Sequence, residues 1–320
     1  MGGAVVLVFV AAGALGAAEE DGQEGVDYAT FEASRLRCVI GNNGAKGEHR
    51  QCYNGLFRLW SPDQEQTPFV PFYAGWNLEH YFDARPRHDD AKVFFEPRWA
   101  PMGFRRVNDR TAELVQPETP FWGVQSRTRF ELTDPYYVDM TFRCTAHKAL
   151  EGGFLGCFWA SYINAPDDKS LYFLDAGSTL DRPRWIQFCT QQHDRDSTAL
   201  PDGDDASVQF IEGRLTLYNS LSTLRYGVPF YYGRVRDMVL IFIFEPSARI
   251  RFTHSPSGGG RTAQGDDTNP AWDFQFIVPE VELHREYGFC ARLVYKPWVD
   301  RADVLAEARR GFEAFTSHEP

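Results

Sequence analysis

"VQSRTRFELTDPYYVDMTFRCT", residues 124–145, is the stretch whose reading decides the fold. In its second half Tyr136, Val138, Met140, Phe142 and Cys144 fall on one side of an extended chain. Tyr137, Asp139, Thr141 and Arg143 fall on the other, and an apolar/polar period of two belongs to a half-buried β-strand. The first half alternates through Val124, Phe130 and Leu132 with slips between, and "TDPYY" divides the two. Outward from this pair, "RLTLYNSLS" (214–222) alternates through Leu215, Leu217 and Leu221, and "ARIRFTH" (248–254) through Ile250 and Phe252. "MVLIFIF" (238–244) is apolar on both faces, the pattern of a central strand. Turn clusters such as "GNNG", "LEGG", "NAPDD" and "SPSGGG" punctuate these runs. The one long helical pattern is at the end, where Asp300 can cap "RADVLAEARRGFEAF", with Val304, Leu305, Ala308, Phe312 and Phe315 on one side. The pattern predicts an all-β chain: an antiparallel two-sheet β-sandwich with a C-terminal helix packed outside it.

The 320 residues provide ample apolar and aromatic side chains for a large core. Acidic residues outnumber basic ones by 44 to 33, and no Lys/Arg-rich run is present, which argues against nucleic acid as a partner. "MGGAVVLVFVAAGALGAAEEDG" joins a short apolar run to small residues and then acidic ones, which reads as a signal peptide over residues 1–18, cleaved near Ala18. The absence of Lys and Arg before the apolar run leaves an uncleaved N-terminal anchor as the alternative, although the run is shorter than the roughly 20 residues a spanning helix needs. The expected organisation is a signal peptide (1–18), a flexible segment (19–35), one β-sandwich domain (36–298) and a C-terminal helix and tail (299–320). The expected location is secreted or periplasmic, with no membrane span after cleavage. Six cysteines remain, none in a CxxC pair, so zinc and thioredoxin-like spacings are absent. Cys144 and Cys157 flank "LEGG" about equally, so an antiparallel hairpin would set them opposite one another; buried free thiols are the alternative.

The order of pieces, early hairpins followed by the consecutive long strands of "RTAELVQPETPFWGVQSRTRFELTDPYYVDMTFRCT", resembles the galactose mutarotase-like β-supersandwich of many carbohydrate-active proteins. The resemblance spans Leu36 to Tyr295. It implies a saccharide ligand and, by analogy with the late-strand carboxylate of aldose epimerases, places Asp273 of "WDFQ" in the position of a base. "WASYIN" keeps Tyr162 and Asn164 of the epimerase pattern but lacks its histidine, a departure that bears on the epimerase reaction itself.

Sugar sites combine flat aromatic faces with side chains that bond hydroxyls in both directions. Ligand contacts are therefore expected from Trp76, Trp159, Tyr162, Asn164, Arg251 and Arg261, the last on the glycine-rich loop "SPSGGGRT". That loop is no P-loop and reads as a flap over a cleft. Acid/base chemistry would fall to Asp273 with His80 or His193, imidazole being suited to proton transfer near neutral pH. Glu79 and His80, adjacent in a strand, are expected on opposite faces. Asp273 also admits two quieter readings: a hydroxyl acceptor, or a structural carboxylate bonded to N–H groups of the glycine loop. "LPDGDD" offers Asp202, Asp204 and Asp205 as oxygen ligands for calcium, but without the full EF-hand series; a solvated acidic turn is the alternative. The leading expectation is a saccharide-binding protein, with or without an epimerase-like, hydrolytic or eliminative step. A non-catalytic binding or surface-assembly module is the alternative, to be separated by whether the polar groups converge.

Overall fold

The structure, a computed structural model, describes residues 24–44, 47, 49–204 and 208–316; the expected signal peptide lies outside them. Three short strands come first, β1 (Tyr28–Glu32), β2 (Arg37–Gly41) and β3 (Gly55–Trp60), and form an antiparallel sheet of their own. The segment 19–35, expected to be flexible, thus contributes a paired strand, with Phe31 buried opposite Cys38. After β4 (Asn77–Phe82) come two single-turn helices that the apolar pattern did not predict, α1 (Ala91–Phe94) and α2 (Glu96–Trp99). Asp90 caps the first by accepting from Lys92 N, and Glu96 anchors the second by accepting from the backbone N–H groups of Phe121 and Trp122.

The next strands are β5 (Gly103–Asn108), β6 (Thr111–Gln116), β7 (Val124–Thr133) and β8 (Tyr137–Ala146), an antiparallel meander, then β9 (Leu155–Ala160). β10 (Leu171–Leu174), β11 (Trp185–Phe188), β12 (Thr198–Pro201) and β13 (Leu221–Tyr226) follow. β14 (Phe230–Val235), β15 (Met238–Phe244), β16 (Ile250–Ser255), β17 (Ala271–Val278) and β18 (Glu286–Pro297) complete the strands, and α3 (Arg301–Thr316) ends the described chain. "RLTLYNSLS", expected as one strand, is broken by a 3-10 turn at Leu217–Asn219 that Thr216 and Asn219 cap reciprocally, so β13 starts only at Leu221.

Two large sheets form the sandwich. One has nine strands in the order β11-β10-β14-β15-β18-β8-β7-β6-β5, and the other six in the order β13-β12-β16-β17-β9-β4. The opening stretch is the β7–β8 hairpin, paired from Val124↔Ala146 to Thr133↔Tyr137. Its inward residues, Phe130, Val138, Met140 and Phe142 among them, meet Trp159, Phe274 and Phe276 of the six-stranded sheet in one apolar core. Each large side chain so buried contributes roughly 1.5–3 kcal/mol. β15 is apolar on both faces because each is covered: Leu240, Phe242 and Phe244 face the other sheet, and Val239, Ile241 and Ile243 face α3 through Val304 and Ala308. Asp300 caps α3 by accepting from Asp303 N. Gly233 permits the sheets to close, because a Cβ there would collide with the Trp272 ring.

Cys144 and Cys157 lie on facing sheets rather than in one hairpin, since the chain crosses from β8 to the other sheet at "LEGG". Their thiols nevertheless meet across the core, within hydrogen-bonding contact. No helix among the described residues is long and apolar enough to cross a membrane.

Candidate functional site

The outer face of the six-stranded sheet, turned away from the core, carries a cavity of about 320 Å³. Its floor is built by β4 and β9, and one irregularity in β4 sets which side chains face it. Leu78 pairs with Trp159 but His80 pairs with Phe158, so Glu79 is an extra residue, a β-bulge. The bulge turns both Glu79 and His80 toward the cavity, which corrects the expectation that they point to opposite faces; Tyr81 then returns to the core.

Glu79 is buried and fully engaged. Its Oε1 lies 3.0 Å from His80 Nε2, and its Oε2 accepts from the Tyr162 hydroxyl and lies 3.7 Å from an Arg98 guanidinium nitrogen. Burial pushes the carboxyl up, but His80, Arg98 and Tyr162 outweigh it and hold it down at about 2. Glu79 is therefore ionised. The other ring nitrogen of His80 is 2.8 Å from the Phe94 carbonyl, which can only accept. Both ring nitrogens of His80 therefore face oxygens, one of the Glu79 carboxylate and one of the Phe94 carbonyl. Burial pushes the Tyr162 phenol well up, and the Glu79 charge adds to this, so it stays protonated and donates.

The walls come from elements the sequence pattern had left as loops. α1 and α2 bring Phe94, Phe95 and Arg98 over β4. Arg98 donates from Nε to the Cys52 carbonyl at 2.6 Å, and its guanidinium lies 3.9 Å from the Tyr53 ring centroid. Burial opposes the Arg98 charge, yet Tyr162, Glu79 and Tyr53 more than compensate and raise its pKa. Tyr53, Tyr73 and Tyr162 form a contiguous aromatic group with centroids 4.9–5.8 Å apart. Across from them Tyr218 stacks on Phe82 at 4.1 Å, carried by the 3-10 turn that interrupts "RLTLYNSLS".

The rim is polar. His193 Nδ1 is 2.7 Å from Ser255 Oγ and its Nε2 is 3.5 Å from Asp194 Oδ1. Asp194 adopts a left-handed backbone (φ 60°), a conformation most side chains avoid and one enriched at functional turns. Ser257, Gly258 and Gly260 of the glycine-rich loop form the facing lip. Gly260 (φ 76°) exposes bare backbone beside the Tyr73 hydroxyl.

Solved structures share this arrangement of sheets. A protein of Escherichia coli K12 named as an aldose 1-epimerase superimposes with a TM-score of 0.50 at 11% identity, over 86% of this chain and 100% of that one. The fold is galactose mutarotase-like. The GalM/aldose epimerase homologue of C. elegans aligns over 86% of this chain and 100% of its own at 9% identity and a TM-score of 0.46. A heparan sulfate lyase of Pedobacter heparinus aligns over 86% of this chain and 36% of its own at 12% identity and a TM-score of 0.41. No family model matches the sequence, and no curated protein matches it.

Within the galactose mutarotase-like sandwich, His80, His193 and Tyr162 come together in the cavity, and the other expected site residues do not. Asp273 lies on the same sheet face but beneath the lining, 1% exposed, accepting from Ser161 N at 2.9 Å. Its partner is thus the end of β9 and not the glycine loop. Burial pushes its carboxyl well up, Ser161 only partly opposing this and the Glu79 charge adding to it. Covered by the lining and bound to a backbone N–H, it is not within reach of a ligand in the cavity as the expected base would be.

Trp76 and Trp159 are fully buried between the sheets, Trp76 against Phe130 and Phe242, Trp159 against Phe142 and Phe274. They are core residues because Trp159 sits at an inward-facing position of β9 and the bend before β4 turns Trp76 inward. Arg251 points outward but is spent in a buried ion pair with Asp204 (3.1 Å). Arg261 is an exposed member of the glycine-loop hairpin, bridged to Thr268, and Asn164 sits outside the cavity with its backbone N–H on the Pro68 carbonyl. Of the expected calcium ligands, Asp204 is held by Arg251 and Asp202 accepts from Gly177 N, while Asp205 lies outside the described residues. No group of three or more metal-ligating side chains forms among the described residues.

Tyr53, Arg87, Phe94, Phe95, Arg98 and Tyr218 line the cavity and were not anticipated. The available signal was "DDAKVFFEPRW", residues 89–99, where an N-cap aspartate and a Glu-Pro pair frame two aromatics and an arginine.

Proposed function

We propose that this chain is an exported, carbohydrate-active protein that binds a saccharide in the cavity over the bulge of β4. One observation carries the reading. Ionised, donor and aromatic groups converge on one outward cavity in a sheet whose opposite face is largely apolar. Tyrosine faces receive the apolar side of a pyranose ring, and His80, His193, Tyr162 and Arg98 meet its hydroxyls. The aldose epimerase and lyase names carried by proteins of similar fold point in the same direction.

Chemistry, where it occurs, belongs to histidine rather than to Asp273. His193 at the rim, bonded to Ser255 and beside Asp194, is the group we assign to proton transfer, and His80, backed by Glu79, would donate to negative charge that develops on a ring oxygen.

The test is a panel of soluble oligosaccharides titrated against the mature chain, with Tyr73→Ala and His193→Ala as variants. At least one saccharide is expected to bind, with both variants weakened and melting midpoints unchanged. No retention across the panel, or variants that bind as well as the parent, would sink the proposal. Following the bound sugar by NMR separates the two branches: conversion that His193→Ala abolishes marks an enzyme, and an unaltered sugar marks a binding module. Export is tested by N-terminal sequencing, expected to begin near Glu19; a start at Met1 in the exported fraction overturns it.

A further inference from the structure

Arg87 lines the cavity. Among the described residues no carboxylate, carbonyl or hydroxyl accepts from it. Its guanidinium rests on the Phe94 ring at 4.1 Å from the centroid, a contact that engages the flat face and leaves the edge donors unmet. Its neighbour Arg85 shows the usual alternative, donating from Nε to Asp83 at 2.8 Å. Ring support fixes the direction of a long side chain without neutralising it, so Arg87 is held at the cavity with its hydrogen-bonding capacity available.

The remaining charges do not answer it. Glu79 is shared between His80 at 3.0 Å and Arg98 at 3.7 Å. Asp194 is engaged at the rim by His193. Both carboxylates of the lining thus have partners other than Arg87. A neutral sugar would leave the Arg87 guanidinium without a counter-charge; a sugar bearing an anion would supply one. The guanidinium edge is planar and presents two parallel donors, which fits a carboxylate. The aromatic walls supply what a bare anion would not use, a pair of flat faces sized for a ring.

We propose that the ligand is an acidic saccharide, a hexuronate unit whose carboxylate is held by Arg87. This rests on the saccharide reading above and adds the charge of the sugar and the residue that reads it. Gly260 on the opposite lip leaves the backbone bare beside Tyr73, where a ring would approach.

The experiment titrates the full mature chain with trisaccharides of matched length in three forms: neutral hexose, hexuronate, and sulfated neutral hexose. Arg87→Ala and Arg87→Lys are titrated alongside, with melting curves for each. The hexuronate is expected to bind about 10- to 100-fold more tightly than the neutral form, the span a charge-assisted bidentate contact commands. Arg87→Ala should remove most of that advantage while lowering neutral-sugar affinity far less, Arg87→Lys should restore part of it, and added salt should erode it. Equal affinity for neutral and acidic sugars overturns the anionic assignment while leaving the saccharide site standing. Preference for the sulfated form overturns the carboxylate. An Arg87→Ala variant that weakens all three forms alike shows a wall residue and not an anion anchor. Failure of all three forms to bind overturns both this inference and the saccharide reading.

Discussion

Replacing Glu79 with Gln removes the one full negative charge on the cavity floor while keeping the shape of the side chain. The carboxyl is 8% exposed and is met by His80, Arg98, Tyr162 and the Asn77 amide. It titrates at about 2 in the folded chain, against an ordinary value of 4.5. Linkage converts that difference into roughly 3 kcal/mol of stability at neutral pH. Because the folded value is depressed, the contribution is complete above pH 4.5 and is lost as the pH falls through about 2. Glu79→Gln has no such group to protonate, and it leaves His80 and Arg98 without a counter-charge. Urea unfolding of parent and variant at a series of pH values should therefore show a gap of roughly 3 kcal/mol near pH 7, shrinking below pH 4.5 and nearly closed at pH 2. Two stability curves that run parallel across this range would refute the reasoning, since the ion cluster would then contribute nothing that depends on Glu79 charge.

Burial pushes His254 down to about 4; its Nδ1 accepts from Thr190 N and its Nε2 donates to the Lys169 carbonyl, the pattern of a neutral ring. A depressed histidine contributes stability fully above pH 6.5 that is lost as the pH falls through about 4, so His254→Gln should flatten that part of the stability profile, and an unchanged slope would count against it. Asp273→Asn should fold with nearly parental stability, because the carboxyl and the amide oxygen both accept from Ser161 N, whereas Asp273→Leu should cost about 1–3 kcal/mol by orphaning that N–H; equal melting points for the two variants would contradict this. Iodoacetamide applied to the folded, reduced chain should label Cys189 and Cys290, which are half-buried, and spare Cys157, whose thiol burial pushes well up; comparable labelling of Cys157 by peptide mass spectrometry would refute the packing described.

The sheet architecture was legible in the sequence because strand periodicity is a local signal. β7 and β8 alternate along "VQSRTRFELTDPYYVDMTFRCT", β15 is apolar on both faces because α3 covers its back, and Asp300 marks where α3 starts. The likeness to the galactose mutarotase-like sandwich followed from the same order of strands. Residue type also brought Tyr162, His80 and His193 into consideration, as polar or aromatic groups beside strand ends.

Which of those groups meet was decided by tertiary structure alone. Trp76, Trp159 and Asp273 carry the chemistry of a sugar site in their side chains, but the backbone turns the two tryptophans into the core and packing covers the carboxylate. The bulge at Glu79 depends on pairing with β9, 75 or more residues along the chain, and no local pattern announces that one residue will be skipped. Arg98 reaches the cavity from a short helix that becomes stable only when docked on β4, being too brief to form by itself, and Arg87 reaches it from the loop between β4 and α1. Periodicity determines which way a strand faces; contacts between distant segments determine what gathers on that face.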